Sequence, residues 1–413
     1  MSPAPSSGPA RQVRLAYFVS HPIQYQAPLL RRIAQEPDID LTVFFSSDHS
    51  VRAFKDEGFG VELAWDTPLL EGYRREFLPT LRNSGSVSAF SPISRGIYRR
   101  LCTPSGAPAF DAVWVHGYST INSLHAILAA NLLGIPVLLR AESWLADRAR
   151  SPLKLFLKRL FLHDLRHLVA ATLPIGTANG LYWQHYFGPD FPQFLMPYAV
   201  DNDFFATRAA AAQPTLPMLR VSLDIHPSQP VILFASKLQP RKHADHLLAA
   251  HAALLAQLDP STPPPVLVIV GDGEQRAALE AQAHTLHIQD FVRFTGFQNQ
   301  TALPTYFALA SVFVLPSRHE PWGLIVNEAM AAGCPVIVSS DVGCAPDLIT
   351  NGVEGVVFPV GEIPALTAAL QHVLANHEAM SAAARARIAT WSVTQDILGL
   401  RAALAHTTRK LRP

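Results

Sequence analysis

The chain has 413 residues, 49% hydrophobic and 16% charged, so it can build large cores in two domains and is not a disordered chain. Its 33 basic and 32 acidic side chains leave a formal charge of +1, which excludes a nucleic-acid binder held by bulk charge. Cys102, Cys334 and Cys344 are odd in number, lack metal-ligand spacing and read as reduced thiols of a cytoplasmic protein.

Residues 1–12, MSPAPSSGPARQ, lack the apolar core of a signal peptide and read as a flexible lead-in. No run of about 18 apolar residues occurs, so no membrane span is expected. VRLAYFVS (13–20) is the first predicted strand, followed by the loop SHPIQYQAP and a helix beginning at PLLRRIAQE. LTVFFSS (41–47), AVWVHG (112–117) and PVLLRAES (136–143) are further strands, with a helix near 119–133. Strands alternating with helices at this spacing predict a doubly wound parallel sheet.

LKLFLKRLFLHDLRHLV (153–169) carries Leu153, Phe156, Leu157, Leu160, Phe161 and Leu168 at helical spacing, flanked by Lys154, Lys158, Arg159 and Arg166. One reading is a helix that covers the sheet and shows a basic face to solvent. The other is an interfacial helix drawn to anionic lipid.

LPIGTANGLYWQHYFG (173–188) continues the pattern, which makes 13–197 the N-terminal domain. Residues 198–230 are Pro-containing and of mixed polarity, as in a linker. A second series follows: VILFAS, the helix ADHLLAAHAALLAQL, VLVIVGDG, VRFTGF, SVFVLPS and PVIVSS. It predicts a second α/β domain over 231–390. Residues 391–413 read as a C-terminal helix and tail that could return to the first domain. Ligands in such sheets bind beyond the strands' C-terminal ends, so the expected site is the cleft between facing domains.

Two stretches of the second domain carry chemistry. In PSRHEPWGLIVNEAMAAGCP (316–335), Glu320 lies in a loop and Glu328 about one and a half turns inside a predicted helix. Gly323 permits close backbone approach, and the free N–H groups of the helix start favour a phosphate. A carboxylate at 328 could accept two hydrogen bonds from a vicinal diol such as ribose. The plain alternative is acids near a helix start, favoured by its dipole. In FASKLQPRKHADHL (234–247), Lys237, Arg241 and Lys242 form a strand-to-helix loop suited to a diphosphate, or a solvated basic loop. VGDGEQ (270–275), with Gly271, is a turn that needs no ligand.

Taken in order, FASKLQPRK, IVGDGEQ, VRFTGF, VFVLPSRHEPWGLIVNEAMAAGCPVI and DVGCAPDLITNGVEGVVF resemble the retaining glycosyltransferases of family 4, which have the GT-B fold. The resemblance implies two facing Rossmann-like doubly wound domains around a cleft. It implies that Lys237 and Lys242 contact the donor diphosphate, Glu320 the donor sugar and Glu328 the ribose. Gly323 and Leu324 would meet the phosphates, and Phe297, after Gly296, would lie on the base side with Gly271. Ser236-Lys237 stands where the family has Gly-Arg, which keeps the charge but loses a bidentate fork.

In the first domain SHPIQYQAPLLRRIA and DEGFGVELAWDTPLLEGY (56–73) resemble a subgroup associated with bacterial surface polysaccharide. His21-Pro22-Ile23-Gln24-Tyr25 replaces the family's Gly-Gly loop. Its polar side chains reach the acceptor on one reading and merely close the first strand on the other. His116 ends its strand, facing either the cleft or the core. Where many relatives have a His near the reacting sugar, this chain has Arg140-Ala141-Glu142. Glu142 and Arg140 would meet acceptor hydroxyls, or pair with each other.

The expected activity is therefore transfer of a sugar from a nucleotide diphosphate donor, UDP first and GDP second on family habit, to a hydroxyl of a glycan or lipid-linked glycan. Glu320, Lys242, Lys237, Glu142 and His116 are the candidate catalytic residues. Neither a metal nor another cofactor is expected, and no nucleic acid partner. Peripheral contact with an anionic membrane fits a lipid-linked acceptor. A nucleotide-sugar epimerase or hydrolase, or a non-catalytic binding protein, would use the same fold.

Overall fold

The computed structural model describes residues 12–56, 58–82, 87–146 and 151–409. The lead-in, save Gln12, lies outside them. The N-terminal domain runs β1 (Val13–Val19), α1 (Ala27–Ile33), β2 (Ile39–Phe45), a small hairpin of β3 (Phe54–Lys55) and β4 (Glu62–Leu63), and β5 (Arg74–Phe77). A second small pair, β6 (Thr80–Arg82) and β7 (Ile93–Ser94), precedes α2 (Ile97–Arg100) and β8 (Ala112–His116). Then come α3 (Ile121–Leu132), β9 (Val137–Arg140), α4 (Pro152–Arg166), β10 (Ala171–Thr172) and α5 (Thr177–Phe187). Two helices, α6 (Asn202–Ala212) and α7 (Leu216–Ser222), lead into the second domain.

That domain runs β11 (Val231–Ala235), α8 (Ala244–Ala256), β12 (Val266–Val270), α9 (Arg276–Thr285), β13 (Val292–Gly296) and α10 (Leu303–Leu309). It continues through β14 (Val312–Leu315), α11 (Leu324–Ala331), β15 (Val336–Ser339), α12 (Ala345–Leu348) and β16 (Gly355–Phe358) to α13 (Ile363–Ala389) and α14 (Val393–Arg409).

Each domain is built on a six-stranded parallel sheet, ordered β10-β9-β8-β1-β2-β5 in the first and β13-β12-β11-β14-β15-β16 in the second. Strands such as VILFA and VLVIV are buried at every position, as sheets covered by helices on both faces require. In each sheet the strand order reverses at one point, between β1 and β8 and between β11 and β14. The crevice for a ligand opens beyond the C-terminal ends of those four strands. Those ends carry Ser20-His21, His116, Ser236-Lys237 and the loop to Glu320.

Two differences from the sequence reading have physical causes. Residues 198–230 are not a linker: Phe205 and Ala209 of α6 are in the second domain's core, and Asp201 caps the helix by accepting from the Phe204 N–H at 3.0 Å. Pro214 and Pro217 sit in first turns, where proline costs no hydrogen bond. Helix α14 packs on the first domain, as read from the sequence, with Ile397, Leu400, Ala403 and Leu404 against β1 and β2 residues.

Second, α4 shows solvent large apolar side chains as well as the basic Lys154, Arg159 and Arg166. Only Leu162 and Leu165 are buried, while Leu153, Phe156, Leu157, Leu160 and Phe161 point outward.

Candidate functional site

The donor side is built at the second switch point. After β14 the chain turns through Glu320, whose backbone is pinned by bonds from its N–H to Asp341 O (3.0 Å) and from the Gly343 N–H to its own carbonyl (2.9 Å). The Glu320 carboxylate accepts from Lys242 Nζ and from Arg241 Nη1, the latter at 3.1 Å. Lys242 and Glu320 are nearly buried, with side chains 9% and 12% exposed. Burial pulls the Lys242 ammonium down and Glu320 opposes it, while Arg241 and Lys237 add to the lowering. Lys242, Arg241 and Glu320 thus share the rim, with Lys237 close enough to bear on Lys242.

Gly323 starts α11 with φ +92°, and a Cβ there would stand 3.1 Å from both Leu315 Cδ2 and Val342 Cγ1. Glycine is what lets the chain turn there and aim the N–H groups of α11, from Leu324 on, at the rim. One and a half turns on, Glu328 is buried. Its Oε1 accepts from Gln300 at 3.4 Å, and its Oε2 has no partner among the described residues. Burial alone pushes its pKa from 4.5 to about 8. The neighbouring Asn327 donates to Tyr198 O at 3.0 Å and accepts from Trp322 Nε1 at 2.9 Å.

Gly271 is a backbone requirement: at φ +136° its Cβ would fall 1.9 Å from Ser236 O. It holds the loop after β12 against the one that presents Lys237. The Lys237 ammonium is engaged across the cleft by Asp56 (2.8 and 2.9 Å) and lies 5.0 Å from the Phe59 ring centre. Burial raises Asp56, but Lys237 and the N–H groups of Phe59 and Gly58 outweigh it and hold the carboxyl below its ordinary value. Phe59 also meets Phe297 edge-on at 4.8 Å, Asn299 donates to Ala64 O at 2.7 Å, and Thr301 donates to Asp66. A strap of the first domain therefore lies across the loops of the second.

On the facing wall, one oxygen of Glu142, Oε1, collects the Tyr25 hydroxyl (2.9 Å), the Tyr198 hydroxyl and His116 Nε2 (3.8 Å). Burial raises this carboxyl, but His116, Tyr198 and Tyr25 overcome it and bring its pKa to about 2. Its side chain remains 43% exposed. Gln26 supports the group: it accepts from the Tyr17 hydroxyl at 2.7 Å and reaches the His116 ring at 3.3 Å. His21 bonds Ser20 Oγ at 2.8 Å and packs on His49; burial, with His49 and His116, pushes its pKa down to about 4. Gln24 lines a separate cavity of about 250 Å³ with Arg31, Phe204, Phe205 and Gln300. A larger cavity of about 470 Å³, lined by Arg32, Asp201, Arg385 and Thr394, contains none of these groups.

Arg140 corrects the acceptor reading. It is 1% exposed, and its Nη2 donates to Met196 O (2.9 Å), Pro197 O (2.8 Å) and Asp396 (3.0 Å). It anchors α14 and does not pair with Glu142. A guanidinium this buried is not open to an acceptor in the cleft.

Sequence reasoning missed Asp56, Phe59, Tyr198, Gln26 and Asn327. The signal for Asp56 and Phe59 lay in the quoted stretch DEGFG, where an Asp two residues before a Gly favours a turn. Nothing local marked Tyr198 or Asn327. Among the described residues one group, His243, Asp245 and His246, brings three potential metal ligands within 4.8 Å. The two rings stack at 4.2 Å, and burial, His243 and Arg318 lower His246 against the pull of Asp245. With Arg241 and Lys242 alongside, that field disfavours a divalent cation.

Residues 218–388 match the family model of glycosyl transferases group 1, and that stretch carries the family's sequence. A GDP-mannose-dependent alpha-(1-6)-phosphatidylinositol monomannoside mannosyltransferase of Mycobacterium tuberculosis is 32% identical over 48% of this chain and 52% of its own. The alpha-D-kanosaminyltransferase of Streptomyces kanamyceticus is 25% identical over 67% of each chain. The chain spans between about a third and a half of the length of the curated relatives it matches above 30% identity. Among solved structures, Anabaena Alr3699/HepE in complex with UDP superposes with a TM-score of 0.70 at 18% identity, over 95% of this chain and 99% of that one. The two-domain architecture is the GT-B fold.

Proposed function

We propose that this GT-B protein, whose donor-side domain carries the group 1 glycosyl transferase sequence, is an enzyme that moves a sugar from a nucleotide diphosphate donor to a hydroxyl with retention at the anomeric carbon. The observation that carries the proposal is the arrangement around α11. Cations gather in front of its first turn, and a buried carboxyl with an unpartnered oxygen lies behind it. Diphosphate chemistry suits the first, and a ribose diol suits the second. The relatives' names support both a UDP-sugar and a GDP-sugar as candidates.

In this reading the donor diphosphate lies against the start of α11 at Gly323 and Leu324. Lys242, Arg241 and Lys237 stabilise the charge that builds on it as the sugar leaves, so no metal is required. Glu328 takes the ribose, Phe297 flanks the base, and Glu320 orients the sugar. Glu142, with a pKa of about 2, is too weak a base to remove a hydroxyl proton, but as a fixed anion it can accept a hydrogen bond from the acceptor. The acceptor oxygen then attacks C1 on the face the diphosphate leaves. The C1–O bond to phosphate breaks, and the hydroxyl proton passes to the departing phosphate oxygen. Closing the strap of Asp56 and Phe59 over the donor would keep water from C1.

We further propose a glycan or lipid-linked glycan as acceptor, in bacterial surface polysaccharide synthesis. The location would be cytoplasmic with peripheral membrane contact, in keeping with three free cysteines. Among the described residues no helix is long and apolar enough to cross a membrane.

Calorimetric titration of the whole chain with UDP, GDP and their sugars tests the donor half, and absence of nucleotide binding removes it. Anomeric analysis of product by NMR tests retention. Donor loss that does not depend on added acceptor would instead favour a hydrolase.

A further inference from the structure

Helix α4 is amphipathic the wrong way round for a helix that only covers a sheet. Its inner face holds Leu162 and Leu165, buried against the domain. Leu153, Phe156, Leu157, Leu160 and Phe161 recur at helical spacing on the outward side, with Leu153 66% and Phe156 58% exposed. Leu181 of the adjacent α5 is also exposed. A stripe of large apolar side chains of this kind marks an interaction surface.

The charges say what covers it. Lys154, Arg159 and Arg166 are exposed on α4. Lys158 lies over the rings of Tyr182 and Tyr186, 4.6 and 5.0 Å from their centres. Against four cations the helix has one acid, Asp164. A second copy seated face to face would set cations against cations, which is unfavourable. An anionic lipid surface accepts both the leucines and phenylalanines and the basic flank.

We propose that the outward face of α4 docks on an anionic lipid bilayer, inserting Phe156, Leu157 and Leu160 at the headgroup level. The surface connects to the acceptor wall. Phe161 packs near Tyr118 (6.1 Å between ring centres), and the Tyr118 hydroxyl bonds Ser143 Oγ at 2.9 Å, beside Glu142. If the acceptor reading above holds, docking brings a bilayer-borne hydroxyl to the Glu142 side of the cleft. The docking itself does not depend on that reading.

The test is sedimentation of the whole chain with vesicles of phosphatidylcholine alone or with about 30% phosphatidylglycerol, without any activity measurement. Wild type should bind the anionic vesicles and not the neutral ones. Phe156→Ser with Leu160→Ser should weaken binding by about tenfold or more, and Lys154→Glu with Arg159→Glu by about tenfold. Because these side chains point outward, the melting temperature of each double variant should match wild type. Failure of wild type to bind anionic vesicles overturns the proposal, as does binding that neither double variant weakens. A dimer by light scattering that Phe156→Ser with Leu160→Ser dissociates, with no vesicle binding, would assign the face to a second copy and equally overturn it.

Discussion

Glu328→Gln should make the protein more stable and a poorer binder of nucleotide. The native carboxyl is buried and its pKa is raised from 4.5 to about 8, so the folded chain holds a proton that the unfolded chain has released. Native protein therefore binds more protons across that window, and stability falls as pH rises from about 4.5 to about 8. Each unit is worth 1.36 kcal/mol, so at pH 8 the carboxyl costs about 3–5 kcal/mol. Glutamine keeps the shape and removes the titration. Urea unfolding at several pH values should show variant and wild type within about 1 kcal/mol at pH 5, diverging by about 3–5 kcal/mol at pH 8. Ribose hydroxyls donating to the carboxylate would also expel the proton, about 0.9 per molecule at pH 7. Calorimetry in two buffers of different ionisation enthalpy reads that release, and Gln at 328 should abolish it. Parallel stability curves for the two proteins across pH, with equal nucleotide affinity, would refute the reasoning.

Lys242→Ala should lower kcat about 100-fold, because the charge on the leaving diphosphate loses its buried partner; steady-state rates near wild type would contradict the assignment. Glu142→Gln should lower kcat by about 10–100-fold while leaving donor affinity unchanged, since a charged acceptor of hydrogen bonds becomes neutral in place; isothermal titration with donor separates this from a structural effect. Asp56→Asn should tighten nucleoside diphosphate binding about two- to fivefold, by freeing Lys237 from a partly exposed ion pair. Weaker binding in that variant would show instead that the strap helps to hold the donor.

The second domain was legible because its chemistry is local. Gly323, Leu324 and Glu328 are placed relative to one another by a single turn and helix, so their spacing in sequence is their spacing in space. The walls that meet across the cleft were not legible. Asp56 and Lys237 are 181 residues apart, and Tyr198 and Asn327 are 129 apart, with no local signal to join them. Arg140 misled for the same reason. A charged side chain at a strand end suggests a ligand, and only the arrival of Asp396, 256 residues later, shows it to be structural. The stretch 198–230 failed differently. Its prolines were weighed as breakers, when their positions in first turns made them compatible with helix.

The return of α14 sets the order in which this protein can be completed during synthesis. The first domain leaves the ribosome early, yet its buried arginine and the apolar face of β1 and β2 wait for Asp396, Ile397, Leu400 and Leu404. Until that last helix is made, the first domain carries an unpaired buried cation and an open patch of core. The domain translated first is thus the one finished last, and a chain stopped before α14 should be held by chaperones or degraded even though its second domain is whole.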